Sequence, residues 1–558
     1  MHNSITVKFA TAFSRHYPIL LIIALSVGVY ANTINNDFVY DDILSVLGNR
    51  WITDVKFIPD IFSTHVGGFS GALSTRYYRP LNHVLFMAGY HISGYAPWGF
   101  HLINIIFHTM VSLLVYVISL TLFSAPAVSR VFLSPPLLVA LLFAVHPIHT
   151  ESVAWVSGIS DISYSMFYLF SFYMYIRAGD GNRSIFNRFY LVSLGSFCLA
   201  VLCKEPALTL PFLLLVYDYV HSGKGIRSVG YAKRYLPFLF LIAVYFFVRF
   251  LALPGFTPSK SRIVLSGYQY VLNAFPLFAE YLEKLLLPLN LSPIHVFHPV
   301  LSIQEAKSVL GIFIAIAFIT IFVIARNNNI LFLGFSILLT PLLPAFYITA
   351  ISGESIFAER YLYLPTFGYA IVLAYLYSRA GKFMPRNSTP VILIAVALIG
   401  VFSIGTIIRN TAWKDNYSLW SDTVKKSPQS AVAHQYFGYA LYSRGNIDEA
   451  IPEYQNALEL NPELFDARFN LGIAYHSKGL IEQAIEQYRI MLRYYPGSAS
   501  TYNALGMAYG QVGFLDKAIE HFQAALALDP SNEEARRNLL AAHSIKNQTD
   551  SNPTSARP

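Results

Sequence analysis

Five short polar motifs interrupt an otherwise apolar chain, and their residue types suit acid–base and phosphate chemistry. Phe38-Val-Tyr-Asp-Asp42 carries two adjacent carboxylates, Asp41 and Asp42. Tyr77-Tyr-Arg-Pro-Leu81 carries Arg79 and is followed by His101 and Asn104. His146-Pro-Ile-His-Thr-Glu151 brings His146, His149 and Glu151 together and runs on to Ala154-Trp-Val-Ser-Gly158 and Asp161. Lys204-Glu-Pro206 places Lys204 beside Glu205, and Ala358-Glu-Arg-Tyr-Leu-Tyr-Leu364 places Glu359 beside Arg360. Ionisable groups at membrane boundaries are costly and therefore informative. Carboxylates there can act as a general base toward a hydroxyl or hold a divalent cation. Arg, Lys and His can bind a phosphate or pyrophosphate leaving group.

Each motif also has a plainer reading. Asp41 and Asp42 fit a solvated turn or cap. His-Pro-x-His is not a usual zinc spacing, so His146 and His149 equally suit a helix break. Lys204 and Glu205 could form an interfacial ion pair, and Arg79 could anchor a helix start. No Ser/His/Asp triad, P-loop or Gly-rich dinucleotide motif occurs.

The elements that carry these motifs are membrane helices. Of 558 residues, 55% are hydrophobic and 13% charged, about half the charge of a typical soluble domain, which is roughly 25%. The apolar runs lie before Asn410 and predict about eleven spans, near 16–32, 98–123, 134–146, 160–177, 187–202, 205–220, 235–252, 303–325, 330–349, 360–379 and 389–408. Up to Asn410 the chain has 26 Lys+Arg and 15 Asp+Glu; beyond it, 13 and 16. The positive excess is therefore a topology signal, and no basic patch for nucleic acid appears. Lys8, Arg15, Arg130, Arg177, Arg183, Arg188, Lys224, Arg227, Lys233, Arg234, Arg326, Arg379, Lys382 and Arg386 fall on one side, read as cytoplasmic. All five motifs and the C-terminal region then share the opposite face. The amphipathic stretch 268–287 reads as interfacial or re-entrant, 31–97 as a long ordered outer loop, and the first helix as retained. Cys198 and Cys203 read as small apolar residues in a membrane helix.

Past Asn410 the chain turns polar and periodic. Gly438, Gly472 and Gly506 recur every 34 residues, as do Ala450/Ala484/Ala518, Tyr454/Tyr488/Phe522 and Pro462/Pro496/Pro530. That period and pattern specify tetratricopeptide (TPR) repeats at 431–464, 465–498 and 499–532. A linker is expected at 411–430, a capping helix at 533–545 starting from Ser531-Asn-Glu-Glu, and a disordered tail at 546–558. The fold class is all-α: a polytopic membrane domain, 1–410, followed by a soluble TPR solenoid, 431–545, whose concave face would hold a protein partner.

The order of the motifs, with Arg409-Asn-Thr-Ala-Trp413 and Ser418-Leu-Trp420 before the repeats, resembles the transmembrane and TPR repeat-containing (TMTC) family and its bacterial relatives. That family is similar to protein O-mannosyltransferases and other GT-C glycosyltransferases. The resemblance implies a GT-C-like membrane domain, a polyprenyl- or dolichyl-phosphate sugar donor, usually mannose, and transfer to Ser or Thr of an extracytoplasmic protein. It implies an acidic residue of the first outer loop at the active site, here Asp41 or Asp42. Arg79, His146, His149, Glu151, Lys204, Glu205, Glu359 and Arg360 would then serve the donor phosphate or the site's architecture. A divalent cation would be held by the acidic residues. The three-repeat array leans toward a bacterial inner membrane with a periplasmic TPR domain; in a eukaryote that side is the endoplasmic reticulum lumen. Two other readings stand beside it: a TPR-bearing envelope polysaccharide ligase or polymerase, and a non-enzymatic membrane scaffold.

Overall fold

The computed structural model describes residues 16–70, 77–124, 133–179, 187–222, 229–253, 265–347, 354–383 and 389–551. The chain divides into two compact units, Met1–Ser418 and Leu419–Pro558. Among the described residues all regular structure is helical.

Six helices of the first unit are long and apolar enough to cross a membrane: His16–Thr33, Trp98–Leu122, Lys233–Ala252, Ala306–Ala325, Asn329–Phe346 and Thr389–Trp413. Pro135–Val145 and Pro147–Ala154, bent by 46°, make a seventh if counted as one span. The expected eleven is not reached by this measure. Arg188–Cys203 has 16 residues and Leu210–Ser222 has 13, short of the ~20 a bilayer needs. Ile159–Ala178 is long enough but rich in Ser and Tyr. It is covered by protein on most of its surface, so its polar groups bond to neighbouring helices: the Ser171 hydroxyl donates to the Ser193 carbonyl at 2.7 Å. Gly267–Leu286 is amphipathic and not among the six. Of the charges used for topology, Lys8, Arg15, Arg130, Arg183, Lys224, Arg227 and Arg386 lie outside the described residues.

At the centre of this unit is Pro135–Val145, buried on every side, as an all-apolar helix must be. Its outer helices present apolar rows: Phe313 is 69% and Ile394 70% exposed, the pattern of a lipid-facing surface. Among the described residues of 31–97, Phe38, Trp51, Ile52, Phe69 and Phe86 form a small core with Phe100 and Val156. This core ties the segment bearing Asp41 to the segment bearing Trp155 and Ser157.

In the second unit, Ala431–Ser443 pairs with Ile447–Leu460, Phe465–Ser477 with Ile481–Tyr494, and Ala499–Gln511 with Leu515–Leu528. A Cβ on Gly438 or Gly506 would lie 2.8 or 2.7 Å from the ring of Tyr454 or Phe522, and one on Gly472 would press on the Tyr488 ring more closely still. That close approach is why the period pairs a glycine with an aromatic. The Tyr442 hydroxyl meets the Ser477 hydroxyl at 2.8 Å, joining the first helices of two successive repeats. Two details differ from the sequence reading. The final helix is Glu533–Ser551, so 546–551 continue it instead of forming a tail, while 552–558 lie outside the described residues. Its cap is Asn532, whose side chain accepts from the Ala535 N–H at 2.9 Å. The expected linker carries a turn, Thr411–Trp413, and a helix, Asn416–Lys426.

Candidate active site

The two adjacent carboxylates have different surroundings. Asp42 is fully buried. One of its oxygens accepts from the Ser157 N–H at 2.8 Å and the Ser157 hydroxyl at 2.5 Å; the other accepts from the Val39 N–H at 3.2 Å. Burial pushes its carboxyl up to about 7, the Asp41 charge adding to the rise while the Ser157 and Val39 hydrogen bonds oppose it. Asp41 is exposed. Surrounding protein also holds its carboxyl above the ordinary value, and the Arg360 guanidinium pulls the other way. Asp42 thus clamps its loop to the Trp155–Gly158 segment and leaves Asp41 facing outward beside a cation.

Three cation–carboxylate pairs lie close by, each built from residues distant in sequence. Glu151 is buried and takes Arg360 twice, through the Arg360 N–H at 2.8 Å and through its guanidinium. The Lys204 ammonium donates to both oxygens of Asp161, at 2.6 and 2.7 Å. The Arg79 guanidinium donates twice to one oxygen of Glu205, at 3.0 and 2.7 Å. Arg249 approaches the other Glu205 oxygen at 3.5 Å.

Tyr361 gathers these pairs. The Lys204 ammonium and Arg360 guanidinium stand 5.2 and 5.4 Å from its ring centroid, and Arg79 acts electrostatically on both Tyr361 and Lys204. Burial, aided by the Arg79 and Arg360 charges, pushes the Lys204 ammonium down to about 8 against the pull of Asp161. The carboxylates hold the cations in place without exhausting them, since a guanidinium has five N–H donors and an ammonium three. Concentrated donors of this kind suit a phosphate group.

Three of the residues expected at the donor phosphate or in the site's architecture make structural contacts away from the cations. Glu359 is buried and accepts from the Ser292 N–H at 2.5 Å and from His295 at 3.0 Å, so it anchors the 290s segment and has no cation of the cluster as its partner. His146 accepts from the Ile148 N–H at 3.2 Å, donates to the Leu285 carbonyl at 3.2 Å, and packs 4.6 Å from the Phe402 ring. His149 packs between the rings of Phe143 and Tyr363, at 4.6 and 4.5 Å. His146 sits at the 46° bend between Val145 and Pro147, and His149 lies just beyond it on the segment that carries Glu151. Among the described residues no group of three His, Cys, Asp or Glu could hold a metal.

The reading by motif assigned no role to Asp161, Ser157, Tyr361 or Arg249. Arg249 had a signal of its own, an arginine inside an apolar helix. Asp161 had none beyond its place in a motif, because its partner is 43 residues away. A cavity of about 650 Å³, lined by Glu280, Lys284, His295 and Lys307 with Leu277 and Ile314, lies beside the Gly267–Leu286 and Ala306–Ala325 helices and was not foreseen.

Comparison with known proteins matches the repeats first: a "TPR repeat" family at 438–479 and a "Tetratricopeptide repeat" family at 499–532. The chain is 28% identical over 494 residues to the human Protein O-mannosyl-transferase TMTC4, covering 78% of this chain and 65% of that protein. It is 25% identical to the mouse Protein O-mannosyl-transferase TMTC3, covering 81% and 52%. It is 27% identical to the Caenorhabditis elegans Protein O-mannosyl-transferase F38B6.6, covering 80% and 63%. The homologues are thus TMTC proteins, as the motifs suggested, and the chain spans just under two thirds of the human relative's length.

Proposed function

We propose that the chain is a membrane glycosyltransferase that moves a sugar, mannose by its relatives' names, from a polyprenyl-phosphate donor to a Ser or Thr hydroxyl of an extracytoplasmic protein held by the TPR unit. The observation that carries this reading is Asp41: an exposed carboxylate beside Arg360, next to the clustered Arg79 and Lys204 cations. The printed names of the relatives support transfer to protein, and the repeats support recruitment of a protein acceptor.

The chemistry is an inverting displacement. Asp41 accepts the proton of the acceptor hydroxyl as its oxygen bonds to the anomeric carbon. The bond from that carbon to the phosphate oxygen breaks, and the electron pair leaves with the lipid phosphate. Negative charge builds on that leaving oxygen, where Arg79, Lys204 and Arg360, fixed in advance by Glu205, Asp161 and Glu151, stabilise it. A cation already held by a carboxylate needs little rearrangement as the charge develops.

The test is sugar transfer from polyprenyl-phosphate mannose to a Ser/Thr peptide in membranes holding the full chain. Transfer that vanishes in Asp41→Asn supports the reading. A lengthened glycan in place of modified peptide turns the assignment to a polysaccharide polymerase. Donor consumption equal to that of membranes without the protein leaves a scaffold.

A further inference from the structure

We propose that Asn416 and Trp413, at the exit from the last span, are positioning residues for Asp41; the inference rests on Asp41 being the base. The residue before Asp41 is unusual. Tyr40 has φ +55°, in the left-handed region. A bulky side chain there is disfavoured and persists only when its surroundings enforce it.

Those surroundings come from the far end of the membrane unit. The Tyr40 N–H donates to the Asn416 side-chain oxygen at 3.0 Å. The Asp37 N–H donates to the Lys414 carbonyl at 2.8 Å. The Tyr40 ring lies 5.8 Å from that of Trp155, and Trp155 stacks on Trp413 at 6.0 Å with 27° between the planes. Below this, the Asn410 amide donates to the Val29 carbonyl and to the Asn32 side chain, both at 2.8 Å, and the Asn32 amide donates to the Ile407 carbonyl at 3.0 Å. Segment 29–40 is therefore stitched to segment 407–416.

Asp42 is held independently, by Ser157. The Asp41 carbonyl accepts from the Ser45 N–H at 2.8 Å, and on its other side Asp41 is aimed by the backbone of Tyr40. Without the Asn416 acceptor, Tyr40 would relax toward negative φ and swing the Asp41 carboxyl off its line to the acceptor hydroxyl. A misplacement near 1 Å can cost about a hundredfold in rate. Segment 411–416 is also the stretch of chain that leads into the repeats.

The test uses the full chain in membranes with polyprenyl-phosphate mannose and a Ser/Thr peptide. Asn416→Leu, which removes the acceptor, is expected to lower kcat about tenfold or more, with KM for the donor within about twofold. Asn416→Asp keeps an acceptor oxygen and is expected to restore kcat, with the acid limb of the pH profile moved upward, because a new neighbouring carboxylate raises the Asp41 carboxyl. Trp413→Phe should retain activity and Trp413→Ala lose it. The inference is overturned if Asn416→Leu keeps wild-type kcat and pH profile. It is equally overturned if the Leu and Asp variants lose activity alike, in step with the amount of folded protein. Asp41→Asn separates the two claims. An active Asp41→Asn overturns the base assignment and the positioning role with it; an inactive one beside an unaffected Asn416→Leu removes only the positioning role.

Discussion

Ser157 donates its backbone N–H and its hydroxyl to the same oxygen of Asp42, at 2.8 and 2.5 Å, while Asp41, one residue earlier, is exposed and within the electrostatic reach of Arg360. The pair therefore divides into an anchored carboxylate and an available one.

Neutralising each should have a different consequence. Asp41→Asn is expected to insert and fold normally and to lose transfer by about a hundredfold or more, the scale of a general base. Asp42→Asn turns an acceptor for three donors into a group that must partly donate, costing about 1–3 kcal/mol. Thermal unfolding in detergent, read alongside transfer, separates them: equal melting of both variants would erase the division.

The same burial sets a pH dependence. In the folded protein the Asp42 carboxyl stands near 7, above its ordinary 3.8, so the fold binds that proton more tightly than the unfolded chain does. Its contribution to stability is present below about pH 4 and is lost as pH rises through 7. Melting temperature should fall across that window in the wild type and change less in Asp42→Asn.

Lys204 predicts the alkaline side of the activity profile. Its ammonium, pushed down to about 8, loses its charge above that pH. Transfer should fall above about pH 8, and Lys204→Arg, which stays charged, should move that limb upward. An unmoved limb in the arginine variant would assign it to another group.

Glu151 and Arg360 should behave as one unit. Removing Arg360 leaves a buried carboxylate without its counter-charge, a loss of about 3–5 kcal/mol. Glu151→Gln with Arg360→Ala should cost less than the sum of the two single changes, measured by a double-mutant cycle on unfolding. Additive losses would mean the pair is not coupled.

In the repeats, Gly472→Ala would push a methyl against the Tyr488 ring. Overpacking of this kind costs about 1–3 kcal/mol. Limited proteolysis of the full chain should show faster cleavage within 465–498 in this variant, and Tyr488→Leu beside it should restore resistance.

The repeats were legible because their physics is local. Glycine, alanine, aromatic and proline recur at a fixed spacing, and each contacts a residue of its own or the adjacent repeat. The apolar runs were legible for a similar reason, since a bilayer selects length and composition. Their number was less so. Ile159–Ala178 is packed in protein, and its Ser and Tyr residues answer to neighbouring helices instead of lipid.

The sequence by itself determined two parts, membrane and TPR, and marked most of the residues that gather around Tyr361, because charges beside apolar helices are too costly to be incidental. Only the tertiary structure decided their pairing. Arg360 lies 209 residues from Glu151, Glu205 lies 126 from Arg79, and Lys204 lies 43 from Asp161. It also separated Asp41 from Asp42, identical in type and adjacent in the chain, and gave His146, His149 and Glu359 structural partners. Burial and hydrogen-bond partners distinguish such residues, and both are properties of packing that no local pattern encodes.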